Sequence, residues 1–200
     1  MRSQLNARSL GTQQTFSIFE AFMGLDLVEF TLALEDSFGV SIPDADLVEM
    51  DTPRRVIDYL VERLPSAPCT SCLEQRGFYR LRDGVARAFE VPRQRVRADT
   101  PWETLLGSND RRRRWSLLQH AVAVPNWPRL PLWGTYSGDA RTVGATARYL
   151  AAYAPNALKP SSEGWTRSEI ARVITALMGY ELAVTEFTED SRFVADLGCG

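Results

Sequence analysis

The residue types that could carry chemistry in this chain are few and scattered. Cys69-Thr70-Ser71-Cys72 is a Cys-x-x-Cys pair, a spacing shared by redox thiols and by half of a zinc site. No second such pair follows, the only histidine is His120, and the third cysteine, Cys199, stands next to the last residue. A zinc site of Cys69, Cys72, His120 and Cys199 departs from the spacing of structural zinc modules, and two thiols in a linker are the simpler reading. An odd cysteine count without an apolar leader argues against a disulfide scaffold. There is no Gly-x-Ser-x-Gly elbow, phosphate loop or His-Glu-x-x-His helix, and His120 has no evident nucleophile partner. On these grounds the chain reads as no enzyme, with no catalytic residue and no bound metal; a thiol or metal protein centred on Cys69 and Cys72 is kept as an alternative.

Charge carries more information. Residues 20–64 hold eleven acidic residues against three arginines, and residues 73–120 hold eleven arginines against six acidic residues. An acidic front is thus followed by a basic middle. In the front, Asp26, Glu29, Glu35 and Asp36, followed by Asp44 and Asp46, could form a recognition surface for a basic partner or a solvated face. In the middle, Arg111–Arg114 could contact phosphates, dock on the acidic front or face solvent. No nucleic-acid-reading motif surrounds that run, which leaves nucleic acid the least favoured partner. Trp102, Trp115, Trp127, Trp133 and Trp165 read as core and loop anchors. No run of 18 apolar residues and no secretory leader occur, so no membrane span is expected and the expected compartment is cytoplasmic.

The elements that must position these groups are helical. Leu27, Phe30, Leu34 and Phe38 recur at three or four residues, flanked by Val28 and Leu32, and predict an amphipathic helix with an acidic outer face. Gly39 is its natural stop. Asp44 is expected to cap a brief helical turn through Leu47 and Met50. Asp51-Thr52-Pro53 sets a capping side chain before a proline in the first turn, and Val56, Ile57, Leu60, Val61 and Leu64 give the next helix its stripe. Phe78, Leu81, Val85, Ala88 and Phe89 predict another helix; Trp115, Leu117, Leu118 and Val122 predict one more. Ala145–Ala154 is a short helical candidate. Thr166 and Glu169 have capping-box spacing ahead of Ile170, Val173, Ile174, Leu177 and Met178. Strand signals are few, and the class is all-α. The predicted divisions are an arm at 1–15, helices at 16–64, a linker at 65–72, a basic helical module at 73–124, a Pro/Gly/Trp-rich irregular region with a short helix at 125–164, and a last helix and loop at 165–200.

Residues 24–64 resemble the acyl carrier protein family. Leu25-Asp26-Leu27-Val28-Glu29-Phe30 and Ala33-Leu34-Glu35-Asp36-Ser37-Phe38-Gly39-Val40 follow the register of its second helix. Ile42-Pro43-Asp44 follows its link, and Asp51-Thr52-Pro53-Arg54-Arg55-Val56-Ile57-Asp58-Tyr59-Leu60 the start of its fourth helix. The resemblance implies that the acidic helix meets basic partner surfaces. It also places Met23 at the family's aspartate and Gly24 at its phosphopantetheine serine. Glycine has no hydroxyl to form the phosphodiester, so no cofactor is expected; some bacterial carrier-like families make the same replacement. The alternative is an authentic carrier whose serine is mis-registered or lies beyond Gly200, and only that reading calls for phosphopantetheine.

The tail carries the complementary piece. Residues 166–200 resemble the family's first helix and the loop after it, with Thr188-Glu189-Asp190-Ser191-Arg192-Phe193-Val194-Ala195-Asp196-Leu197-Gly198 as the run towards the serine. A weaker echo lies at 82–106. Three arrangements are open. The tail can cover the front helices as a permuted bundle, supply its helix to a second copy in a swapped dimer, or begin a further repeat of a longer protein. The permuted bundle is favoured, since the front helices alone leave an apolar face open; the helix at Phe78–Phe89 is the rival cover. The expected partner is a basic surface of a carrier-dependent enzyme, or the chain's own basic module.

Overall fold

A computed structural model describes residues 24–67, 72–131, 136–160 and 162–199. The predicted arm at 1–15, the residues from Phe16 to Met23, Cys69, Trp133 and Gly200 lie outside the described residues. The architecture is all-α, as the periodicities require. In chain order the helices are α1 (Leu25–Phe38), α2 (Asp44–Leu47), α3 (Pro53–Arg63), α4 (Leu73–Phe89), α5 (Trp102–Leu106), α6 (Arg111–Val122), α7 (Val143–Tyr153), α8 (Pro155–Leu158) and α9 (Arg167–Glu181). The described residues contain no strand, only isolated bridges at Ser66–Trp165 and Pro101–Thr142.

Local signals set most helix ends. Gly39 closes α1 at φ +65°, a left-handed conformation that costs glycine little. Thr52 caps α3 by accepting from the Arg55 N–H, with Pro53 in the first turn. Thr166 and Glu169 form the reciprocal capping box that opens α9. For α2 the expectation needs correcting. Asp44 is the first helical residue, Pro43 takes the capping position, and no side chain caps the turn.

The tail covers the front. α9 lies against both α1 and α3, burying Ile170, Val173, Ile174, Leu177 and Met178 on the face that Leu27, Phe30, Leu34 and Phe38 present. The loop after α9 continues around the same three helices. The Phe193 ring sits 5.7 Å from that of Phe30, and its N–H donates to the Asp51 carbonyl at 3.0 Å. Ahead of α9, Trp165 packs on Phe38 at 4.9 Å, and its N–H donates to the Pro65 carbonyl at 2.6 Å. The front helices are therefore covered within one chain by a helix from its tail, as the favoured arrangement expected.

The rival helix, α4, has other partners. It packs on α7 and α6, and two glycines allow the approach. A Cβ at Gly84 would stand 2.5 Å from a Val122 methyl, and one at Gly77 3.1 Å from the Ala147 carbonyl oxygen. The alanine-rich α7 touches α4 on one side and α9 and α1 on the other, joining the middle of the chain to the bundle. Trp102, Trp115, Trp127 and Tyr136 stack into one aromatic cluster with centroids 5.0–5.9 Å apart. Trp127 and Tyr136 come from irregular chain, which the helical tryptophans help to anchor: Trp102 Nε1 donates to Thr146 Oγ1 and Trp115 Nε1 to the Pro128 carbonyl. Buried side chains from α1 to the tail loop form a single cluster.

Candidate functional site

The mouth of α1 is where the resemblance places chemistry. Gly24 is the N-cap residue, half-buried, and its carbonyl accepts from the Leu27 and Val28 N–H groups at 3.0 and 3.3 Å. The tail run Asp196-Leu197-Gly198-Cys199 ends near this point. Cys199 is buried, and its thiol pKa is raised, first by burial and then by the negative charge of Asp26. The end of the tail thus lies within electrostatic reach of the first turn of α1, although the two come from opposite ends of the sequence.

The six acidic candidates separate into two kinds. Glu35 turns inward, and its Oε1 accepts the Ile42 N–H at 2.6 Å, which pins the Val40–Ile42 link to the end of α1. Asp46 accepts from the Tyr59 hydroxyl at 2.9 Å and pairs with Arg63 at 3.2 Å. Arg63 in turn lies over the Tyr59 ring. Burial, then the Asp46 bond, raises the Tyr59 pKa. Both acids therefore hold the bundle's own loops. Asp26, Glu29, Asp36 and Asp44 are exposed, and none makes an ion pair among the described residues. Sequence reasoning placed Leu32 beside the core, yet it is 56% exposed and Leu25 is 71% exposed. Leu25, Glu29, Leu32 and Asp36 fall at helical spacing on the outer face of α1. Val48, just past α2, is 70% exposed. The phase of Leu25 and Leu32 with Glu29 and Asp36, rather than with Phe30 and Leu34, is the signal that could have revealed this mixed stripe.

A second cluster of charges ties the tail down. Arg54 pairs with Asp190 at 2.6 Å and with Glu189 at 3.2 Å, while Arg167 bridges Glu189 at 2.7 Å and Asp58 at 3.5 Å. Hydrogen bonds from Arg167 and Arg54 hold the Glu189 and Asp190 carboxyls below their ordinary range. The basic run on α6 is partly used at home. Arg111 donates to the Pro131 carbonyl and Arg114 to the Leu106 carbonyl, and no ion pair joins α6 to Asp26, Glu29, Asp36 or Asp44 among the described residues.

Of the thiol candidates, Cys69 lies outside the described residues, and the other two differ in setting. Cys72 is exposed at the start of α4 and Cys199 is buried in the tail. His120 is exposed on α6, its Nδ1 2.6 Å from the Ser116 carbonyl. No cluster of three metal-ligating side chains occurs among the described residues, and no helix there is long and apolar enough to cross a membrane.

With this geometry in place, comparison with known proteins is specific to the front of the chain. The family model described as "Phosphopantetheine attachment site" matches residues 25–60, which are α1, α2 and most of α3. Residues 25–60 are thus an acyl-carrier-like segment, similar to that family over this stretch. Acyl carrier protein 2 of Pseudomonas aeruginosa is 48% identical over 42 residues, which cover 21% of this chain and 53% of that protein. The chain thus spans about half the length of the curated relative it matches. No solved structure matches it. In the folded chain α9 packs against α1 and α3 of the matched segment.

Proposed function

We propose that this chain is a non-catalytic carrier-like interaction module that takes no phosphopantetheine arm and meets a basic partner through the outer face of α1. The observation that carries the reading is the pairing of two features of one helix. Its cap is Gly24, which has no side-chain hydroxyl to attack the coenzyme A pyrophosphate. Its outer face keeps Asp26, Glu29 and Asp36 exposed and unpaired beside Leu25 and Leu32. Ser37, the nearest described serine on α1, is fully buried near the far end of that helix, so the residues present do not fit attachment of the group. A basic patch of a carrier-dependent enzyme, acting in the cytoplasm, would meet carboxylates around an apolar centre. Such contacts steer association and weaken as salt screens them over about 10 Å at 0.1 M.

Intact mass after incubation with coenzyme A and a promiscuous phosphopantetheinyl transferase tests the first half. The mass is expected to stay unchanged on folded, helical protein; a gain of one phosphopantetheine makes the chain an authentic carrier and overturns the reading. The second half is tested by NMR titration with a lysine- and leucine-rich amphipathic peptide. Shifts are expected along 25–36 and lost in Asp26→Lys/Glu29→Lys/Asp36→Lys; shifts of equal size in that variant place the contact elsewhere.

A further inference from the structure

A groove of about 510 Å³ runs between the start of α4 and the flanks of α7 and α9, within the range of about 300–1,000 Å³ common to small-molecule sites. None of its lining residues belongs to the acidic stripe of α1. Its walls include Ala151 and Ala152 of α7 and Val173 and Ala176 of α9, side chains too short to close the space between the helices. They offer hydrocarbon and no hydrogen bond. Charge on the lining comes from Arg148 and Arg172, both exposed, neither with an ion-pair partner among the described residues.

Two lining carboxylates bear on that balance. Glu169 is buried and held by Lys159 Nζ at 3.0 Å and by the Thr166 N–H of the capping box, so its charge is matched from behind the wall. Glu74 is exposed at the first turn of α4. The lining that remains joins these apolar walls to the hydroxyl-bearing Thr166, Ser168 and Tyr180, and Arg148 and Arg172 against Glu74 leave the rim net positive. Guanidinium groups present paired N–H donors that match a carboxylate or phosphate better than any neutral group.

We propose that this groove binds an amphipathic anion, an aliphatic chain ending in one carboxylate or phosphate, with the tail against the alanine and valine walls and the head between Arg148 and Arg172. The site is independent of the α1 surface, so either assignment can fail without the other. Cys72 is exposed and lines the same groove, which makes its thiol a reporter of occupancy.

The experiment is alkylation of Cys72 by iodoacetamide in the full chain, quantified by peptide mass, with decanoate, decyl phosphate, decanol and acetate as probes. At ten times its dissociation constant a bound anion is expected to slow alkylation about tenfold, by mass action. Decanol and acetate are expected to leave the rate within about twofold, since each supplies only half of the recognition. The relative potency of decanoate and decyl phosphate identifies the preferred head. Arg148→Gln/Arg172→Gln is expected to lose the protection with unchanged helicity. Ala176→Phe, which fills the groove and leaves both arginines, is expected to block binding. Equal protection by decanol, protection retained in the double arginine variant, or no protection by either anion overturns the proposal.

Discussion

At the scale of single residues, Lys159 is the least expected side chain. It is the only lysine in a chain with 23 basic residues, and its side chain is 3% exposed where a lysine is ordinarily solvated. It is held by Glu169 at 3.0 Å and lies 4.5 Å over the Trp165 ring. A buried pair contributes little net stability compared with a well-packed apolar pair, but breaking it strands the surviving charge. Lys159→Met is therefore expected to destabilise the chain by about 3–5 kcal/mol, the usual result of leaving one buried partner uncompensated. Urea denaturation followed by circular dichroism measures this; a loss below about 1 kcal/mol would mean that water reaches Glu169 readily. Nothing in the sequence around Lys159 announces this pairing, because its partner is ten residues on and across a linker.

At the scale of elements, the tail loop is held by Phe193 in the core and by the Arg54, Arg167, Glu189 and Asp190 cluster at the surface. The folded state holds the Glu189 carboxyl below its ordinary 4.5 and that of Asp190 below its ordinary 3.8. A depressed carboxylate stabilises the fold fully above its unfolded value and loses that contribution as pH falls through its folded value. The urea midpoint is accordingly expected to be flat above about pH 4.5 and to decline below it as these carboxyls take protons. Arg54→Met is expected to make the decline shallower, since Arg54 contributes to both shifts. A pH profile identical in variant and parent would show that the cluster does not clamp the tail. Because these groups are exposed, the effect is expected to shrink in salt.

At the scale of the whole molecule, α7 joins α4 to the bundle of α1, α3 and α9, and the buried side chains form one cluster. Shared burial of this kind couples the segments, so one cooperative unfolding transition is expected rather than two. Far-ultraviolet dichroism, reporting all helices, and fluorescence, reporting the Trp102, Trp115 and Trp127 cluster together with Trp165, should give coincident curves. Two resolved transitions would divide the chain into independent units. The tail fills the groove of its own front helices, so a monomer is expected by light scattering. A stable dimer with the same helix content would point to the swapped arrangement, in which identical contacts form between copies.

Much of this was legible from the chain alone, where the signal is local. The stripes of α1, α3 and α9, the glycine stop at Gly39, the Thr52 and Thr166 caps and the missing hydroxyl at Gly24 depend on residues three or four apart, and they follow from helix geometry and backbone hydrogen bonding. The carrier-like register of the front was likewise readable from ordered local motifs. What the tertiary structure decided is long-range. It chose α9 over α4 as the cover, because α4 carries Gly77 and Gly84 on its buried face and fits closely against α7 and α6. It turned Glu35 and Asp46 inward to satisfy a backbone N–H and a phenol, and left Leu25 and Leu32 facing solvent. Periodicity reports which face of a helix is apolar, whereas which of two apolar faces meets a third element depends on shape and on polar groups that only the folded chain brings together.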